Sequence, residues 1–342
     1  MPDPRPQNPL EGLLGIAAGR VTSLLLELAI EHEVFAKLSG RAVPLAEVAG
    51  LWGMPAPSAR LLAQYLATTG LLVYRDGALA NGPLAQAVLT ADSEARQALA
   101  LLFRYDLSKA ELHDQLLNPP ALHWYQLRDS GEITDTRPLL RQEQENWIGE
   151  LAKLRHGQRV RLGQELATLY DFSGHRKLMD LGGASGGYCV GIRKQNPHLS
   201  SVVFDLPEAA EVATAKIAEE GESEHVEVVA GSFFTADLPA GADVALIANA
   251  LHLWSVEDER FILRKIHDAL VPGGALLVRE TYFEDDWTGS LEPVFDAFLL
   301  VGREGESGWQ PSYAEMEQLL RETGYVDVER RRNLVLGRKP DA

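Results

Sequence analysis

From Leu10 to about Lys37 apolar residues recur every third or fourth position, among them Leu14, Val21, Leu24, Leu25 and Leu28. That spacing predicts helix with one continuous apolar face. Pro44 predicts the start of a short helix through Leu45, Val48 and Ala49, and Pro57 the start of another through Leu61, Leu62, Tyr65 and Leu66, stopped by Gly70. The run LLVYRDGALA then places two short apolar pieces about Asp76-Gly77, a strong hairpin signal. Three helices followed by a small hairpin form a winged-helix arrangement. Further helical spacing runs from about Ser93 to Leu169 and carries the aromatic residues of His123–Gln126, Phe103 and Trp147.

At Lys177 the pattern changes. KLMDLGG, SVVFDLP, VEVVAG, DVALIANA and ALLVRE are short apolar runs separated by helical spacing, which predicts βαβ units and a parallel sheet. YVDVERRR and NLVLGRKP lie close enough to pair as an antiparallel hairpin, and their charges suit edge strands. The expected organisation is a flexible tail over residues 1–9, a winged-helix-like domain over 10–92, a helical linker covering the substrate over 93–172, and a nucleoside-binding α/β domain over 173–342. No internal repeat is visible.

Composition narrows the function classes. A formal charge of −17, from 32 basic and 49 acidic residues, repels a phosphate backbone. Only Arg41, Arg60 and Arg75 are basic between Gly40 and Ala80, so the winged helix lacks the cations of a groove-reading module and suits packing or dimerisation. A DNA-binding regulator is the alternative from a different class. One cysteine, Cys189, excludes an internal disulfide and a multi-cysteine zinc site. No compact His/Asp/Glu ligand set is present, so no metal is expected. The N-terminus has no signal-peptide layout and no run approaches the ~20 apolar residues of a membrane span, so a cytoplasmic protein is expected.

LMDLGGASGGY is a strand, a glycine-rich turn and the start of a helix. Such a turn lets a ligand approach the backbone at the carboxyl end of a parallel strand. Ala184 breaks the G-x-G-x-x-G dinucleotide fingerprint and no Walker lysine follows. Asp205 closes the next strand, where a carboxylate can accept both hydroxyls of a ribose. A glycine turn after one strand and an acid after the next suit an adenosine unit without phosphates, and S-adenosylmethionine fits. A tight loop packed on its helix is the structural alternative.

LYDFSGHRKLMDLGGASGG, VVFDLPEA, AGSFF, ALHLW and VPGGALLVRE, in this order, resemble the small-molecule O-methyltransferases of the plant-caffeate and bacterial-polyketide type. The resemblance runs from about Leu10 to Arg338. It implies a Rossmann-like class I methyltransferase domain, a mostly parallel seven-stranded sheet with an antiparallel C-terminal hairpin, preceded by a mostly α winged-helix dimerisation domain. It also implies a homodimer, S-adenosylmethionine as donor and S-adenosylhomocysteine as product. Carried over by position, the cofactor set is Asp180, Gly182, Gly183, Gly186, Asp205, Leu206, Ser232 and Phe233. Ser232 stands where the family usually has aspartate.

Methyl transfer to a hydroxyl also requires that a proton leave. A phenol near pKa ~10 giving its proton to imidazole near ~6.5 runs uphill by about 4.8 kcal/mol. Removal of that proton by a base during attack is worth ~10²–10⁴ in rate. The resemblance puts the catalytic histidine on His252, after DVALIANA, and its orienting acid on Glu280, after ALLVRE. Taken singly, each could be an ordinary strand-end residue. The family usually reads His-Asp-Trp where this chain has His252-Leu253-Trp254, and Gln310 falls where a second acid is usual. With fewer carboxylates His252 should be a weaker base. That leaves C- or N-methylation, or another reaction using the cofactor, as alternatives to O-methylation. Trp254, Phe295, Phe298, Trp309 and Trp124 are the expected acceptor lining, and their aromatic walls favour a flat apolar small molecule.

Overall fold

The structure is a computed structural model that describes residues 19–90, 155–286 and 310–341, together with Arg96, Ala152 and Lys153. The chain separates into two compact units, Met1–Asp106 and Leu107–Ala342.

In the first unit, helices α1 (Gly19–Glu31) and α2 (Val34–Lys37) are divided at Glu33, whose φ of 55° interrupts the helical path. Next come β1 (Val43–Pro44), α3 (Val48–Trp52), α4 (Ala56–Thr68), β2 (Leu72–Arg75), β3 (Ala78–Asn81) and α5 (Pro83–Val88). The expected helix at Pro44 is corrected here. Pro44 lies in β1, opposite Ala78, while Val43 faces Leu79, and the helix starts only at Val48. The sheet order β1-β3-β2 makes β1 an edge, where a residue without an N–H removes no ladder bond. Pro57 does stand in the first turn of α4, and Gly70 follows its end with φ 74°. Asp76 and Gly77 both take positive φ, 51° and 81°, as a two-residue turn matched to strand twist requires. Phe35, Leu38, Trp52, Leu62, Leu66, Leu72 and Leu79 form this unit's core.

The second unit is a three-layer α/β structure. It contains α6 (His156–Leu169), β4 (Lys177–Leu181), α7 (Gly187–Gln195), β5 (Ser200–Asp205), α8 (Pro207–Glu219), β6 (Val226–Ala230), β7 (Ala242–Ala248), a short 3₁₀ turn (Leu251–Leu253), α9 (Val256–Ala269), β8 (Leu270–Arg279), α10 (Tyr313–Glu322), β9 (Val326–Arg331) and β10 (Leu334–Arg338). The sheet order is β6-β5-β4-β7-β8-β10-β9, parallel from β6 to β8, with β10 antiparallel to both of its neighbours. Strand alternation builds both faces. Leu178, Val244, Leu246, Ala275 and Leu277 pack with α6, α7 and α8, while Met179, Ala245, Ile247, Leu276 and Val278 pack with α9 and α10. The edge-strand expectation holds for β9, whose residues are largely exposed, and fails for β10, which lies between β8 and β9 with Leu334 to Leu336 buried. Among the described residues no helix is long and apolar enough to cross a membrane.

The first strand, β4, has β5 on one side and β7 on the other. The winding reverses between β4 and β7, which opens a crevice at their carboxyl ends. The glycine turn, Asp205 and the His252 turn all follow strands that end there.

Candidate active site

The turn between β4 and α7 is shaped by three residues with positive φ: Gly182 (66°), Ala184 (49°) and Gly186 (71°). A side chain on Gly183 would place its Cβ 2.8 Å from the Asp180 carboxyl and 2.9 Å from Val203, so that approach admits only glycine. Ala184 carries a Cβ in a conformation that costs an L-residue roughly 1–2 kcal/mol. Its N–H donates to Asp205 Oδ2 at 2.7 Å, which offsets that cost. The other oxygen, Oδ1, accepts from Leu206 N–H at 2.7 Å. Burial raises the pKa of Asp205, and the two amide donors work against that rise. Each oxygen retains a further lone pair for a ligand hydroxyl.

Asp180 is fully buried on the α6–α7 face of β4, where Cys189 Sγ lies 3.6 Å from its Oδ2. Oδ1 has no hydrogen-bond partner among the described residues. Burial lifts this carboxyl to a pKa of about 7, with the Cys189 contact and the Arg159 charge opposing. Arg159 comes from α6, whose backbone lies so close to Gly187 that a Cβ there would sit 2.7 Å from Arg159 Cβ. The guanidinium lies in the fields of Tyr188, Asp205 and Asp180, and burial lowers its pKa. Arg159 Nη1 and the Tyr188 hydroxyl are also buried without partners among the described residues. Burial pushes Tyr188 up to about 12. Three orphaned polar groups of complementary character thus surround one turn.

Ser232 and Phe233 follow β6. Ser232 Oγ accepts from Phe234 N–H at 3.2 Å, and the Phe233 ring lies 5.8 Å from that of Phe204. The segment is tied to α9 by Lys265, whose Nζ donates to the carbonyls of Phe233 at 2.8 Å and Ala236 at 2.5 Å. A Cβ on Gly182 would meet Ala250 Cβ at 2.9 Å and Phe233 Cζ at 3.8 Å. The glycine turn, the Phe233 segment and the approach to His252 therefore converge on Gly182.

His252 sits in the 3₁₀ turn after β7, and Glu280 directly follows the parallel neighbour β8. Asn249, with φ 52°, starts the turn and donates its N–H to Arg279 carbonyl at 2.8 Å. Glu280 is buried. Its Oε1 accepts from Ala250 N–H and Leu251 N–H, each at 3.0 Å, and its Oε2 accepts from His252 Nδ1 at 2.5 Å. A carboxylate at Nδ1 selects the tautomer that leaves Nε2 as a proton acceptor.

Trp254 is 6% exposed and packs edge-to-face on Phe234 at 4.7 Å. Gln310 is buried and donates through Nε2 to the carbonyl of Thr281, beside Glu280. Phe295, Phe298, Trp309 and Trp124, with Phe103 and Trp147, lie outside the described residues. Arg159 and Tyr188 are candidate site residues that sequence reasoning missed, and His156 and Lys265 pack against the segments that form the candidate site. His156 and Arg159 stand on HGQRVRLG, which carries no motif; the only signal is the run of glycines at 163, 187 and 191, which lets α6 and α7 touch backbone to backbone.

A profile described as the O-methyltransferase domain matches residues 145–326, just over half of the chain. The 3-hydroxy-5-methyl-1-naphthoate 3-O-methyltransferase of Streptomyces sahachiroi is 35% identical over 168 residues, 48% of this chain and 47% of that protein. The chain thus aligns with about half the length of that relative. The tetracenomycin polyketide synthesis 8-O-methyl transferase TcmO of Streptomyces glaucescens is 27% identical over 331 residues, 91% of each chain. Human N-acetylserotonin methyltransferase in complex with SAM superposes with a TM-score of 0.77 at 23% identity, covering 99% of this chain and 100% of that one, a likeness of fold.

Proposed function

We propose, for a chain that belongs to the O-methyltransferase domain family, that it methylates a hydroxyl of a phenolic or polycyclic aromatic small molecule, with S-adenosylmethionine as donor and S-adenosylhomocysteine as product. The observation that carries this reading is the 2.5 Å contact of His252 with Glu280 at the strand ends beside the glycine turn. When bound, the cofactor supplies an electrophilic methyl on a sulfonium.

The chain's residues fit such a group. Asp205 has an acceptor site on each oxygen for the two ribose hydroxyls. Phe233 offers an aromatic face to adenine, and Ser232 a hydroxyl. Asp180 Oδ1 and Arg159 Nη1, buried and unpartnered among the described residues, match the ammonium and carboxylate of a methionyl tail. Gly182, Gly183, Gly186 and Leu206 supply the backbone of the seat.

His252 takes the acceptor's proton at Nε2 while Glu280 holds Nδ1–H and stabilises the imidazolium. Glu280 cannot turn aside, because two backbone amides occupy its other oxygen. With Leu253 and Gln310 in place of acids, one carboxylate supports the base, which suits an acidic hydroxyl. The hydroxynaphthoate in the name of the Streptomyces sahachiroi relative is a flat hydroxyl acceptor of this kind.

The first unit is the dimerisation module of a cytoplasmic homodimer that binds no nucleic acid. The exposed Leu24, Leu61, Tyr74 and Leu84 support this, as does the shortage of basic residues between Gly40 and Ala80. The reading is tested by incubating the protein with methyl-labelled S-adenosylmethionine and a panel of hydroxynaphthoates and polycyclic phenols, then locating the label by NMR. Label on oxygen is expected. Label on carbon or nitrogen, or no transfer across the panel from a protein that binds the cofactor, overturns it.

A further inference from the structure

The second unit holds another buried histidine joined to an acid, remote in sequence from His252. His156 is the first residue of α6, and its Nδ1 lies 3.0 Å from Ser185 Oγ, inside the glycine turn. Its Nε2 lies 3.6 Å from Glu220 Oε1 at the end of α8, an ion-pair distance rather than a hydrogen bond. Glu220 Oε2 in turn accepts from Lys194 Nζ of α7 at 2.9 Å. Ser185 is fully buried and His156 nearly so.

Three facts make this chain of contacts more than packing. First, the Ser185 hydroxyl is fully buried, and His156 is the partner that satisfies it inside the turn. Second, the turn holds a non-glycine residue, Ala184, in the left-handed region, which persists only where neighbours over-determine it. Asp205 holds Ala184 from the β5 side, and His156 holds the next residue from the α6 side. Third, α6 cannot drift from the turn. A Cβ on Gly191 would lie 2.1 Å from the Val160 carbonyl, and one on Gly187 2.9 Å from the His156 carbonyl. Burial lowers the pKa of His156, and Glu220 acts against that. A ring protonated at Nε2 turns that N–H toward Glu220 and accepts at Nδ1 from the Ser185 hydroxyl.

We propose that His156 is a positioning residue that fixes Ser185 and with it the left-handed Ala184 turn in the shape that receives the cofactor. This rests on the reading of that turn as the S-adenosylmethionine seat. It touches no reacting atom, so its loss should weaken cofactor binding and leave the chemical step intact.

Two substitutions separate the ends of the imidazole. His156→Asn keeps a polar atom near the Nδ1 position and loses the reach to Glu220. His156→Gln places its amide near the Nε2 position and loses Ser185. Calorimetry with S-adenosylhomocysteine should give His156→Gln and Ser185→Ala an affinity lower by ~5- to 10-fold, the value of one buried hydrogen bond. His156→Asn should stay within about two-fold of wild type on the same scale. KM for S-adenosylmethionine should follow these affinities, with kcat at saturating cofactor unchanged. Thermal unfolding with and without the ligand guards against mere misfolding, because a seat defect reduces the ligand-induced rise in Tm. Wild-type affinity in His156→Gln, or an equal loss in His156→Asn and His156→Gln, overturns the positioning role. Failure of the wild-type protein itself to bind S-adenosylhomocysteine overturns the underlying reading of the seat instead.

Discussion

His252 Nδ1 lies 2.5 Å from Glu280 Oε2, and the companion oxygen of that carboxylate is held by the amides of Ala250 and Leu251. The acid is thus clamped by the same turn that carries the histidine, so the two cannot move independently. His252→Ala should lower kcat by ~10²-fold or more and leave S-adenosylhomocysteine affinity unchanged. Glu280→Gln is the sharper probe. Its amide oxygen can still accept from the two N–H groups, but its NH₂ then faces Nδ1 and drives the proton to Nε2. A comparable fall in kcat without loss of cofactor affinity is expected; normal turnover would rule out the tautomer argument.

Asp205 holds the turn through Ala184 and Leu206, and in the proposed function it also offers acceptors to a ribose. Asp205→Asn removes the charge and keeps one acceptor, while Asp205→Ala removes both. Hydrogen bonds to a charged group are worth ~1.5–3 kcal/mol each, so calorimetry should show a loss of about 10²-fold or more for Asp205→Asn. Asp205→Ala should bind more weakly still, because the Ala184 amide then loses its partner.

In the proposed cofactor seat, the buried Arg159 Nη1, unpartnered among the described residues, would meet the carboxylate of the methionyl tail. Arg159→Met should weaken S-adenosylhomocysteine binding by ~10-fold or more, the value of a charge-assisted bond. A 5′-methylthioadenosine probe, which lacks the amino-acid tail, should bind both forms alike. A parallel loss for both ligands would place Arg159 elsewhere in the seat.

Asp180 makes the ligand-free protein sensitive to pH. Burial raises its folded-state pKa to about 7, above the usual carboxylate value, so between those limits the folded state binds more protons than the unfolded one. Its contribution to stability is therefore lost as pH rises from about 4 to about 7, by up to about 4 kcal/mol. Asp180→Asn should flatten that dependence and raise the Tm of the ligand-free protein at pH 8, while weakening S-adenosylhomocysteine binding. A Tm at pH 8 equal to wild type would show that the carboxyl ionises there without cost.

Much of this was legible because it depends on local pattern. The alternation of Leu178 with Met179, of Val244 with Ala245 and of Leu276 with Leu277 marks strands buried on both faces. Asp76-Gly77 and the glycine turn are written in residues that tolerate positive φ. Pro44 was misread because proline is equally at home in a first helical turn and on a sheet edge. Only the arrival of Ala78, 34 positions later, decides between them. β10 resembles an edge strand by its flanking charges, yet β9 returns to cover it.

The pairing of His252 with Glu280 was implied by the family resemblance, whereas the sequence by itself determined most of the elements. Backbone periodicity and turn sterics act over a few residues, so they survive without knowledge of the fold. Which side chains meet across the layers was decided only by tertiary structure. Nothing in HGQRVRLG announces that His156 will reach Ser185 or that α6 will pack against Gly187 of α7. Those contacts exist because glycines on α6 and α7 let two backbones approach closely enough, and because burial gives orphaned charges a strength they lack in water.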